Sequence, residues 1–248
     1  MIGTTQRAPE LSGISARGID PASEGFASAG FKDAKRKQES IIAPLERRCL
    51  AWFARGLPAW VKPDHLTLLG LMGQVMCGLC YAMARTHPRS LLLANVFIAL
   101  NWFGDSMDGT LARFRKIERP RYGFYVDHIT DTYGAVFVIG GLAISGYASE
   151  RMAVALLIGF LLLSVNAYLA AYSVGVFQLS YFKLSPTEMR VLLACGNVAA
   201  FYHPRIQFFG SRYPFFDVGS AIAVVAMVVI VVSSSVTNTI KLYRAEKA

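Results

Sequence analysis

Six apolar stretches, each near the roughly 20 residues that a helix needs to cross the hydrocarbon of a bilayer, begin at about Leu66, Ser90, Gly123, Met152, Thr187 and Phe215. In lipid a backbone must satisfy its own polar groups, which helices do within one segment. The pattern therefore predicts an all-α integral membrane protein of six transmembrane helices. The run from Ser90 ends in Asp105 and Asp108, but charges at a helix end are tolerated where they face a water-filled or protein-lined cavity. Of the 248 residues, 54% are hydrophobic and 17% charged, well below the quarter or so that is charged in soluble domains.

The 25 Lys and Arg orient the chain. With the N-terminus in the cytoplasm, 20 of them fall on the inner side and only Arg85, Arg89, Arg151, Arg205 and Arg212 on the outer, a strong positive-inside bias. The formal net charge of +9 follows from this asymmetry. Because the basic residues are spread over membrane-flanking loops and form no basic face, no nucleic-acid partner is expected. The predicted location is the inner (cytoplasmic) membrane, with the ends of the second and third spans facing the cytoplasm.

Three regions are expected. Residues 1–38, rich in Gly, Ser, Ala and charge and without the apolar core of a cleavable signal peptide, read as a mobile cytoplasmic tail. Residues 39–60 read as an amphipathic helix on the membrane surface. There Ile41, Ile42, Leu45, Cys49, Trp52 and Phe53 recur at helical intervals opposite Glu46, Arg47 and Arg48, with Ser40 as cap and Gly56-Leu-Pro58 as stop. Residues 63–244 hold the spans. Cys77 and Cys80 have redox or zinc spacing, but they sit inside an apolar span with no second ligand pair and read as buried packing.

The chemistry lies in four aspartates. Asp105 and Asp108 share a face of one helix with Ala112, and Asp127 and Asp131, four apart, share a face of the next. The short, basic, proline-broken link from Phe114 to Tyr122 predicts that these two helices lie antiparallel and side by side. At a helix centre each aspartate costs about 2.5 to 3.5 kcal/mol to insert, and gathered carboxylates repel one another. Hard divalent cations between them relieve both costs. Gly109, Ala112 and Gly123 are small residues beside this array, leaving space for close helix packing or for a flat base and a diphosphate. A divalent-cation transporter or channel is the alternative reading, and it calls for acids along several spans; apart from Asp217 near the opposite surface, the transmembrane acids gather at one end.

The spacing Asp105-x2-Asp108-Gly109-x2-Ala112-Arg113-x9-Gly123-x3-Asp127-x3-Asp131 resembles the signature of the CDP-alcohol phosphatidyltransferase family. The resemblance covers roughly Ser40 to Arg244. It implies a phospholipid-biosynthetic phosphotransferase that moves a substituted phosphoryl group from a CDP-linked donor, CDP-diacylglycerol or a CDP-alcohol, to an alcohol acceptor and releases CMP. It further implies two divalent ions, Mg²⁺ or Mn²⁺, a membrane-lipid environment and a homodimer. By the same resemblance Asp105, Asp108 and Asp127 are metal ligands, and Asp131 is the general base with possible ligand duty. Thr67 and Asp64 stand where the family has a P-N-x-x-T element at the nucleotide pocket, Asp64 replacing the asparagine. Gly109, Ala112, Arg113 and Gly123 complete the expected CDP site, the planar fork of Arg113 being suited to phosphate or to orienting an aspartate. His128 and Glu188 resemble features of the choline and ethanolamine phosphotransferase branch and, with Arg190, are candidates for the acceptor side. Local packing for His128, helix capping for Glu188 and a membrane-flanking role for Arg190 stand beside those assignments.

Overall fold

The computed structural model describes residues 43–174, 186–208 and 210–247; the tail 1–38 and the capping Ser40 lie outside them. Among the described residues the elements are α1 (Ala43–Gly56), α2 (Pro63–Ala84), α3 (Ser90–Phe114), α4 (Pro120–Ile144), α5 (Glu150–Ser173), α6 (Pro186–Tyr202), a hairpin of β1 (Arg205–Phe208) and β2 (Ser211–Pro214), and α7 (Phe215–Glu246). Each expected apolar run is a helix, and all-helical membrane architecture is the result. Four helices, α2, α3, α5 and α7, are long and apolar enough to cross a bilayer. Helix α4 carries Arg121, Asp127, His128 and Asp131 in its first half, and α6 has only 17 residues.

Helix starts follow local chemistry. Pro63 and Pro120 occupy the first turns of α2 and α4, where a missing N–H costs nothing. Asp217, in the first turn of α7, accepts the backbone N–H of Ser149 at 2.6 Å, so the buried carboxylate ties the start of α5 to that of α7. The antiparallel hairpin between α6 and α7 turns at Gly210 (φ 78°), a conformation open to glycine; the sequence reading contained no strands.

The expectation that the second and third long helices lie side by side is corrected. Helices α3 and α4 each pack along α2, which sits between them, and share little contact of their own. Glycines on α2 explain this. A Cβ on Gly104 of α3 would lie 2.5 Å from the Gly70 nitrogen and the Leu66 oxygen, and one on Gly141 of α4 would lie 2.0 Å from the Gly78 oxygen. Such contacts leave room for hydrogen alone, and backbone-to-backbone approach through small residues is how helices associate where lipid removes the hydrophobic drive. Gly109 and Gly123, singled out for packing or pocket space, play no such packing part: Gly109 faces its own helix's Arg113, and a Cβ on Gly123 would meet nothing within 4 Å.

This gives a stability prediction from adjacent residues. Gly141→Ala should destabilise the protein by about 1–3 kcal/mol, the usual cost of overpacking, whereas Gly140→Ala, with open space around its Cβ, should leave stability unchanged or slightly raised. Unfolding midpoints in detergent compare the two.

Two apolar clusters consolidate the helices. One joins Tyr81 and Ala84 of α2, Leu91 and Ala94 of α3, Leu142 of α4 and Ala200 of α6, and it contains Cys77 and Cys80, both buried free thiols, as the packing reading holds. Within it the Tyr81 hydroxyl donates to Asn197 Oδ1 at 2.9 Å, and Asn197 Nδ2 donates to Asn95 Oδ1 at 2.7 Å, a fully paired polar chain across α2, α6 and α3. The other cluster seats α1: Leu50 and Ala54 pack with Val61, Leu66, Met107 and Leu111. The face that α1 turns to the protein is thus Leu50 and Ala54. Cys49 and Trp52, on the apolar face expected to meet the membrane, are exposed. Glu46, expected on the polar face, turns inward to α3 and α6. Arg115, read only as part of a basic loop, donates to the carbonyls of Leu57 (3.0 Å), Pro58 (2.8 Å) and Val61 (2.5 Å) and so clamps the α1–α2 linker onto the end of α3.

Candidate active site

The close approach of α3 and α4 to α2 brings their acidic faces together without direct helix packing. Carboxylate oxygens of Asp105, Asp127 and Asp131 all lie within 4.8 Å of one another. Gln74 of α2 lines the same pocket as Asp131. The amide of Gln74 lies over Gly134, one turn along α4, where an added Cβ would fall 1.7 Å from Gln74 Oε1; the glycine provides the room that the amide occupies. Asp108 is not in the group of three. Its Oδ2 accepts the Thr67 hydroxyl at 2.6 Å and its Oδ1 the backbone N–H of Gly109 at 2.5 Å. Asp108 still lines the same pocket, with Thr67, Gln74, Asn101, Asp105 and Asp131.

Arg190 of α6 pairs with the acids. Arg190 Nη2 donates to Asp105 Oδ2 at 2.6 Å, and its Nε to Asn101 Oδ1 at 2.8 Å. Asn101 in turn donates to the Gly70 carbonyl at 3.1 Å, so this buried amide links the packing contact of α2 and α3 to the guanidinium. Three carboxylates against one guanidinium, with oxygen the only donor atom, is a set suited to hard divalent cations such as Mg²⁺ or Mn²⁺. The residues present fit that group.

The remaining candidates divide. Thr67 joins the site through Asp108. Asp64 forms an exposed ion pair with Arg119 at 2.5 Å, and this hydrogen bond raises the Arg119 guanidinium above its ordinary value. Arg113 is exposed on the last turn of α3, its Nη2 3.3 Å from Thr110 Oγ1. Ala112 and Gly123 lie on the ends of α3 and α4 that carry the acids. His128 is stacked on Phe124 at 4.2 Å and edge-on to Tyr168 at 5.0 Å, with Nδ1 2.6 Å from the Phe124 carbonyl and 3.6 Å from Asp127 Oδ2. Glu188 is half-buried in the first turn of α6, two residues from Arg190.

Gln74 and Asn101 were not among the sequence candidates. Each is a polar amide inside an apolar span, and that signal alone marks a residue facing a partner or a cavity.

Against known proteins, the family model described as CDP-alcohol phosphatidyltransferase matches residues 60–234. Among solved structures, phosphatidylinositol phosphate synthase from Mycobacterium tuberculosis, crystallised with CDP-DAG bound, superposes with a TM-score of 0.60 at 22% identity, covering 77% of this chain and 94% of that one. That likeness is one of fold.

Proposed function

The chain belongs to the CDP-alcohol phosphatidyltransferase family, and from that premise we propose how its own residues carry the reaction. The protein is a membrane-embedded, phospholipid-synthesising phosphotransferase that takes a substituted phosphoryl group from a CDP-linked donor to an alcohol. The observation that carries the assignment of the site is the convergence of Asp105, Asp127 and Asp131 oxygens within 4.8 Å, at positions matching the family spacing.

In this reading Asp105, Asp127 and Asp131 hold divalent ions, with Asp108 beside them, and such ions supply charge neutralisation for a diphosphate and its leaving group. The protein does the rest. Asp131, beside Gln74 in the pocket, accepts the proton of the acceptor hydroxyl as that oxygen bonds to phosphorus, and the bond from phosphorus to the CMP oxygen breaks. Thr67 fixes the rotamer of Asp108. Gly109, Ala112, Arg113 and Gly123 form the nucleotide side, where the open space at Gly123 admits a ligand. Asp64, held by Arg119, forms the rim. Arg190 stands on the acceptor side with Glu188, and its hold on Asp105 neutralises that carboxylate until the ions and the donor are in place.

The six-span reading counts α4 and α6 as spans, their polar residues facing the site; α1 lies at the membrane surface. The 20-to-5 bias of Lys and Arg supports a site facing the cytoplasm from the inner membrane, and the family supports a homodimer. Asp217, near the opposite surface, accepts the backbone N–H of Ser149, and among the described residues the acids inside the spans gather at the other end, which favours the phosphotransferase over a transporter.

Purified protein given Mg²⁺ or Mn²⁺, a panel of acceptors and either CDP-diacylglycerol or CDP-choline should release CMP with one donor. EDTA should abolish release, and added Mg²⁺ or Mn²⁺ should restore it. CMP release that persists after EDTA, or none with any donor and acceptor pair, would overturn the reading.

A further inference from the structure

Glu46 lies in the first turn of α1, outside the motif and outside the pocket. One of its oxygens, Oε1, accepts three hydrogen bonds: from Trp102 Nε1 at 2.8 Å, from Ser106 Oγ at 3.2 Å and from Thr187 Oγ1 at 2.9 Å. Trp102 and Ser106 are four apart on α3 and bracket Asp105 on the neighbouring face. Thr187 opens α6 three residues before Arg190, whose guanidinium grips Asp105 and Asn101. Helices α3 and α6 thus meet twice near the site, once through Arg190 on Asp105 and once through Glu46. Because one ionised oxygen receives donors from both helices, a shift of either costs a charge-assisted hydrogen bond, stronger than a neutral one.

We propose that Glu46 is a positioning residue: from α1 it sets the seat of α6 on α3 and, through that seat, the placement of Asp105 in the metal site. The proposal rests on the reading of Asp105, Asp127 and Asp131 as metal ligands. The same oxygen explains why a carboxylate occupies a helix whose other inward residues, Leu50 and Ala54, are apolar.

The test reads metal binding, not turnover. Mn²⁺ titrations of the purified full-length protein, followed by electron paramagnetic resonance, should show saturable sites. Glu46→Ala should weaken them about tenfold or more, the range seen when groups that orient metal ligands are removed. Glu46→Gln keeps a neutral acceptor for all three donors and should recover most of the affinity. Thr187→Val, which deletes only the α6 donor and leaves the carboxylate in place, should shift binding in the same direction by a smaller factor; this variant carries the test if Glu46→Ala does not accumulate. Wild-type Mn²⁺ affinity in folded Glu46→Ala, or in Thr187→Val, would overturn the positioning role alone. Absence of saturable Mn²⁺ binding in the unaltered protein would instead remove the metal site, and the positioning role with it.

Discussion

Asp131→Asn should release CMP at least about a hundredfold more slowly than the unaltered protein, the lower end of what a positioned general base contributes. Asparagine keeps the shape and one acceptor oxygen, while the side chain loses its ability to take the acceptor's proton. The geometry also places Asp131 in the group of three carboxylates, and the substitution therefore tests two roles together. Separating them needs two measurements on the same sample: CMP release at saturating metal, and Mn²⁺ affinity. A base that is also a ligand loses turnover that added metal does not restore, with affinity lowered by a modest factor. A residue that is only a ligand regains its rate as Mn²⁺ is raised. Undiminished turnover in Asp131→Asn would remove the base assignment.

How far the sequence carries this site depends on which features are local. The six apolar runs and the face shared by Asp127 and Asp131 depend on helix periodicity alone, and each run became a helix. What periodicity lacks is the identity of the neighbour across each face. Nothing in the spacing of Gly70, Gly78, Gly104 and Gly141 says that α2 would sit between α3 and α4, because the contacts that decide it are steric and pairwise. The short α3–α4 link argued for adjacency, yet a five-residue connection also permits two helices to diverge around a third that both can approach more closely. The inward turn of Glu46 was equally hidden: on α1 it borders Arg47 and Arg48 and reads as part of a charged face until Trp102, Ser106 and Thr187 are placed opposite it. Arg190 shows the opposite case, a residue picked from sequence for the acceptor side that stands in ion-pair contact with a motif aspartate.

Gly104→Ala should reduce CMP release by about two orders of magnitude while the protein still inserts into the membrane, because a displacement of about 1 Å at a reacting centre is enough for a loss of that size. The added methyl would sit 2.5 Å from the Gly70 nitrogen and the Leu66 oxygen, both main-chain atoms that no rotamer change can move, so α3 must separate from α2. Asp105 is the next residue and travels with the backbone, and Asn101, which bonds the Gly70 carbonyl and Arg190, is drawn off both partners. Gly70→Ala offers a graded comparison, since its methyl would meet the Asp105 nitrogen at 3.3 Å, a distance that a few tenths of an ångström relieve. The expected order of activity is therefore unaltered protein, then Gly70→Ala, then Gly104→Ala, read as CMP release per folded molecule after detergent gel filtration. Equal activity of all three would show that the spacing of α2 and α3 does not set the position of Asp105, and would leave the glycines a role in stability only.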